Sequence, residues 1–204
     1  MKQDQYLHIL SYLHFTDNRN EPDRTDENFD RLWIRELSEM LNGTLSKFYN
    51  PSENLATDEV IVSSKARVRF KQYIQKKCKH FGFKIFKLCD STGYTITWKY
   101  EGKDRQRTAQ HLTATHATVT ELTRKIEGCG HKLYMENLFS SPTLFDDLAK
   151  KQIYCCGTVR PNRRGMPQDL RPKSTKLKRG DIHVRTRAGL TAILWWDERH
   201  LHVD

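Results

Sequence analysis

The chain has 204 residues, enough for one domain with a real core, and its mean hydropathy of −0.77 is at the polar end for such a domain. It carries no apolar run long enough to span a bilayer and no charged-then-apolar start typical of a secretory leader, so the expectation is a soluble intracellular protein. The formal charge of +10 is uneven: residues 1–57 carry 6 Lys/Arg against 10 Asp/Glu, residues 58–150 carry 17 against 10, and residues 151–204 carry 12 against 5. A basic surface that begins at residue 58 suits a polyanion such as DNA, because neutralised phosphates release counterions.

The opening KQDQYLHILSYLHF sets Tyr6, Ile9, Leu10, Leu13 and His14 on one face at helical spacing, with Asp4 as a cap, and this stripe is expected to be core. A polar loop with Pro22 follows. A second helix is predicted from about Asp26 to Leu41, with Phe29, Leu32, Trp33, Leu37 and Met40 as its stripe and Asn42-Gly43 as its stop.

From Asn54 the period changes to that of strands. LATDEVIV, VRFKQYI and FGFKIFKLCD are extended segments, with Phe81, Phe83, Ile85 and Leu88 set against lysines in the last. Ser91-Thr92-Gly93 is a turn, and GYTITWKYEG returns to make a hairpin. HATVTELTRKIEG reads as a helix with Val119, Leu122 and Ile126 inward and Gly128 as its stop. KLYMEN is a strand, SSPTLFDDLAKK a helix capped by Ser140 or Ser141 with Pro142 in its first turn, and IYCCGTV a last strand. With VRFKQYI left as an extended segment outside the count, the order, three strands, helix, strand, helix, strand, predicts a mixed α/β sheet whose crossover helices bring Asp58 and Glu136 close together.

Five cysteines, Cys78, Cys89, Cys129, Cys155 and Cys156, make an odd count without a CxxC pair, so neither a disulfide framework nor a zinc site is expected. Cys155 and Cys156 are neighbours on a strand and point to opposite faces, which makes them poor joint ligands.

Five segments in order, HILSYLHFTDN, the DE pair of LATDEVIV, RFKQYIQKK with FGFKIFKLCDSTGY, HKLYMENLFSSPTLFDDL and GTVRPNRRGMP, resemble the transposase domain of the piggyBac family, including its domesticated members. The resemblance covers nearly the whole chain. It implies a fold similar to ribonuclease H, a five-stranded mixed sheet with crossover helices, over residues 51–204, preceded by a helical lead-in over residues 1–50. It also implies Mg²⁺ or Mn²⁺ as cofactor, held by three aspartates, and chemistry on TTAA-flanked DNA ends by attack on a phosphodiester. Carboxylates are the hard oxygen ligands such ions require.

Asp58 matches the first family aspartate. Glu136 stands where the family has the second, before Asn137 and Ser140-Ser141-Pro142, and its extra methylene moves the carboxylate by about an ångström, a shift that can cost roughly a hundredfold in rate. The third family aspartate lies beyond an inserted domain, downstream of the segment that RGDIHVRTRAGLTAILWWDERHLHVD matches. Neither Asp197 nor Asp204 stands in its Gly-Gly-Val-Asp context, and the family's cysteine-rich zinc module has no match. The expectation is a truncated, catalytically inactive, transposase-derived protein that retains nonspecific DNA binding. The alternatives are an active nuclease or transposase whose missing ligand comes from elsewhere, and a non-functional pseudogene product.

Phosphate contacts are expected from Lys65, Arg67, Arg69, Lys71, Lys76 and Lys77 near Asp58, and from Arg160, Arg163, Arg164, Arg171, Lys173, Lys176, Lys178 and Arg179 in the loop after the last strand. Tyr73 and Tyr94 are expected to be core rather than base-stacking platforms. The resemblance further implies a nuclear location and admits a homodimer.

Overall fold

A computed structural model describes residues 2–13, 17, 19, 32–65, 71–75, 80–100, 113–171 and 178–196. Its helices are α1 (Gln3–Ser11), α2 (Leu32–Phe48), α3 (Ala114–Thr123) and α4 (Pro142–Lys150). Its strands are β1 (Asn54–Ser63), β2 (Gln72–Tyr73), β3 (Phe81–Asp90), β4 (Thr95–Tyr100), β5 (Lys132–Met135), β6 (Tyr154–Gly157), β7 (Ile182–Arg187) and β8 (Leu190–Trp195).

Five strands form the main sheet in the order β4-β3-β1-β5-β6, and β2 adds two residues beside the start of β3. β3 runs antiparallel to both β1 and β4, whereas β5 is parallel to β1 and β6 parallel to β5. This is the mixed α/β sheet expected from the sequence. A helix between two parallel strands is the usual means of returning the chain to the same sheet edge, and α4 does this between β5 and β6.

The core lies on one face of the sheet. Leu55, Phe86, Leu88, Leu133 and Met135 from the strands pack with Val119, Leu122, Ile126, Leu144, Leu148 and Ile153, all buried. Burial of each such side chain contributes about 1.5–3 kcal/mol. Both helices of this layer start as their sequences dictate. Thr113 Oγ1 accepts the His116 N–H ahead of α3, and Ser141 Oγ accepts the Leu144 N–H ahead of α4, with Pro142 at the first turn. A short 3₁₀ turn, Arg124–Ile126, prolongs α3, and Gly128 follows at φ +79°.

β6 approaches β5 so closely that only glycine fits at its end. A Cβ on Gly157 would stand 2.2 Å from the Met135 carbonyl oxygen and 2.7 Å from Ser140 Oγ.

Four expectations need correction. α1 forms, but none of its residues is buried, and Tyr6, Ile9, Leu10 and Leu13 are exposed rather than core. Its N-cap is Lys2, and Asp4 sits in the first turn, where it favours the helix dipole instead of capping. α2 does not stop at Asn42-Gly43 but continues to Phe48. Gly43 is not among the positive-φ glycines, and the Asn42 side chain is engaged by β4 rather than by its own helix terminus. Finally, β3 buries Phe86 and Leu88 on the core side and Ile85 on the other, while Phe81 is exposed; a central strand buried on both faces blurs the period-two signal. Phe29, His14 and the predicted start of α2 lie outside the described residues, and no helix among the described residues is long and apolar enough to cross a membrane.

Candidate functional site

In the parallel pair of β1 and β5, Ala56 stands opposite Tyr134 and Thr57 opposite Met135. Asp58, within β1, follows Thr57, and Glu136, the first residue past β5, follows Met135, so the two acids stand at the same level on neighbouring chain segments, with the strand spacing of about 4.8 Å between backbones. Both are exposed, whereas Thr57 and Met135 beside them face the buried layer. Over β1, β5 and β6 the face opposite the core is open: Val60, Val62, Tyr134 and Tyr154 are exposed there.

Glu136 is carried by a closed turn. Its carbonyl oxygen accepts the N–H groups of Phe139 and Ser140, both at 3.1 Å, and the Ser140 hydroxyl at 2.9 Å. Phe139 is buried and meets Phe86 edge to face, with ring centroids 5.6 Å apart, which anchors the turn to the core. From the other side the Arg163 guanidinium donates to the Asn137 and Leu138 carbonyls at 3.2 and 2.7 Å, and Arg160 Nε donates to Asn137 Oδ1 at 3.3 Å. Two of the arginines expected to meet phosphate therefore brace the loop that holds Glu136.

Asp58 Oδ1 accepts the N–H of Glu59 at 2.7 Å. Glu59 itself faces the opposite side of the sheet, with its carboxylate 3.5 Å from the Lys84 ammonium, and Lys84 lies 4.9 Å over the Phe86 ring. Directly across from Asp58 on β3 stands Lys87, and across from Lys87 on β4 stands Trp98. Sequence reasoning missed Lys87, because its proximity to Asp58 is created by antiparallel register and not by spacing.

The remaining basic candidates are distributed. Lys65, Arg164, Arg171, Lys178 and Arg179 are exposed, and Lys71 lies 5.6 Å over the Phe81 ring. Arg67, Arg69, Lys76, Lys77, Lys173 and Lys176 lie outside the described residues, as do Asp197 and Asp204. Tyr73 is exposed and packs on Phe81, whereas Tyr94 stacks on Tyr49 against the core. Asp90, below Tyr49, is pulled down to about 2 by the hydroxyls of Thr92 and Tyr49.

A further basic element was also missed. β7 and β8 form a hairpin through Ala188 and Gly189, both at positive φ, and strict alternation on either side of Ala-Gly is the signal that could have revealed it. Arg187 pairs with Asp146 of α4 and Arg185 with Asp169, so the hairpin is tied to the helix layer. Between them lies a groove of about 360 Å³ lined by Pro142, Phe145, Met166, Arg187 and Ile193.

Cys155 and Cys156 lie in β6 as expected. Burial pushes the Cys155 thiol up to about 12, while Cys156 is exposed. Among the described residues no group of three His, Cys, Asp or Glu is assembled that could hold a metal ion. The donors of Asp58 and Glu136 are of the kind that Mg²⁺ or Mn²⁺ prefers, but two acids with a lysine opposite one of them do not by themselves fit a two-metal site.

Over residues 1–203 the sequence matches the DDE transposase family described as Transposase IS4. Human PiggyBac transposable element-derived protein 3 is 29% identical over 207 residues, covering 97% of this chain and 34% of that protein. Human PiggyBac transposable element-derived protein 5 is 22% identical over 214 residues, covering 98% of this chain and 40% of that protein. A cryo-EM structure of a piggyBac transposase synaptic complex with hairpin DNA shares the fold, at a TM-score of 0.85 and 24% identity, over 97% of this chain and 41% of that one. The chain thus spans about two-fifths or less of the length of these relatives.

Proposed function

We propose a function from one premise: this chain belongs to the Transposase IS4 family, as a piggyBac-type DDE transposase domain. It contributes Asp58 and Glu136 as two acidic ligands toward divalent metal and offers a basic surface to DNA. The 204 residues alone bind duplex DNA without sequence preference and do not cut it. The observation that carries this reading is the β1–β5 register, which sets the residues after Thr57 and Met135 side by side on an exposed face.

Each part has a physical support. The closed turn at Glu136 fixes the main chain that carries the carboxylate, but the side chain is a methylene longer than aspartate, and misplacement by about an ångström is costly for positioned chemistry. The basic charge of residues 58–204 suits phosphate contact, which positions DNA without reading its bases. Nuclear residence follows from DNA as the partner and is part of the proposal.

A second reading keeps the pair as working ligands and takes the third acid from outside residues 1–204. The support of the Glu136 turn by Ser140, Phe139 and Arg163 favours it, since such bracing keeps in place the main chain from which the carboxylate projects.

Mobility shifts on two unrelated duplexes, at low and at physiological salt, test the DNA half. The expected result is equal affinity for both duplexes and a steep loss with salt, reduced further when Arg164, Arg171, Lys178 and Arg179 are reversed in charge together. Affinity that is unchanged by salt, or that differs tenfold or more between the duplexes, contradicts the proposal.

A further inference from the structure

We infer that Lys87 is a resident cation of the acidic pair, one that partly takes the electrostatic place of a divalent ion and lowers the pair's affinity for Mg²⁺ or Mn²⁺. This rests on the reading of Asp58 and Glu136 as metal ligands. Directly opposed residues of an antiparallel pair point to the same face, with Cβ atoms about 4.5–5.5 Å apart, and Lys87 is the directly opposed partner of Asp58. Glu136 flanks Asp58 from the other side, as the residue that follows Met135, the last of β5 in parallel register with β1. A row therefore crosses the sheet from β4 to β5 as Trp98, Lys87, Asp58, Glu136, with charges plus, minus, minus.

The other lysines of these strands are committed elsewhere. Lys84 lies on the helix-covered face beside Glu59, and Lys99 pairs with Glu121 of α3. Lys87 is half-buried between the half-buried Trp98 and the acids, so its stem is confined near them. With the lysine present the row sums to one negative charge instead of two, and the ammonium repels an incoming divalent ion directly. At a separation of roughly 7 Å, in a water-like dielectric at low salt of about 0.01 M, this weakens binding roughly fivefold.

Titration of the folded 204-residue chain with Mn²⁺ at about 0.01 M ionic strength, followed by the EPR signal of the free ion, tests this. Lys87→Met is expected to tighten binding about fivefold, and Lys87→Glu more, while Lys150→Met, which removes the same charge from an exposed position at the end of α4, leaves it unchanged. Melting curves confirm that each variant folds. If Asp58→Ala leaves Mn²⁺ affinity unaltered, the acidic pair is not the ligand set and both readings fall. If Asp58→Ala weakens binding but Lys87→Met does not strengthen it, or if Lys87→Glu binds no better than the parent, the lysine inference alone is overturned.

Discussion

Asn42 of α2 treats Trp98 of β4 as a neighbouring strand would: its Nδ2 donates to the Trp98 carbonyl at 2.8 Å, and its Oδ1 accepts the Trp98 N–H at 3.0 Å. Both main-chain groups of an edge residue are thereby closed by one amide, which answers the unpaired-edge problem of β4. Lys125 also donates to the Asn42 carbonyl, so helix, edge strand and the turn after α3 meet at one residue.

Asn42→Ala is expected to lower stability by about 2 kcal/mol, because two part-buried main-chain groups lose their partners together. Urea denaturation of the variant checks this, and a change below about 0.5 kcal/mol would show that water replaces the amide at no cost.

Asp90 organises the β3–β4 turn. Its Oδ1 accepts from the Thr92 N–H, the Thr92 hydroxyl and the Tyr94 N–H, while its Oδ2 accepts from the Tyr49 hydroxyl. The Thr92 and Tyr49 hydroxyls, with those N–H groups, hold the carboxyl down at about 2, below its unfolded value of about 3.9. A depressed folded value means stability that is fully present above about pH 4 and is lost as pH falls toward 2. The stability difference between the parent and Asp90→Asn should be constant above pH 4.5 and shrink steadily below it; a difference independent of pH from 5 to 2 contradicts this.

His116 is buried in the layer between α3 and α4, with Nε2 3.4 Å from the Asp147 carboxylate. Burial lowers its pKa, and Lys151 adds to this, against the opposing pull of Asp147. The folded value lies below the unfolded one of about 6.5, so the unfolded chain binds the proton first and stability declines as pH falls below about 6.5. His116→Gln should flatten the slope of stability against pH between 7 and 5. If the parent instead gains stability on acidification through that range, Asp147 governs the histidine and burial does not.

Much of this architecture was legible because local and global signals agree. The alternation of LATDEVIV and the Ser141-Pro142 and Gly128 boundaries all stand where tertiary packing also wants them. Glu136 directly follows the last residue of β5, as a strand-end acid should, whereas Asp58 stands in the middle of β1 because that strand runs on through VIVS to Ser63. What failed were features created by partners distant in sequence. Asn42-Gly43 reads as a helix stop until Trp98 claims the asparagine, and Arg163 reads as a phosphate contact until the Asn137 and Leu138 carbonyls claim its guanidinium. Lys87 becomes a neighbour of Asp58 only when β3 folds back antiparallel on β1. The stripe of α1 was misjudged for the complementary reason, since periodicity reports an apolar face but not what covers it.

Whether these 204 residues, with Asp58 and Glu136 as their two acids, leave DNA uncut is decided by incubating the chain and its Glu136→Asp variant with a TTAA-flanked transposon end and Mn²⁺. Intact DNA is expected with both proteins, because shortening one acid does not supply a third ligand. Strand nicking by either protein that disappears with Asp58→Ala would contradict it.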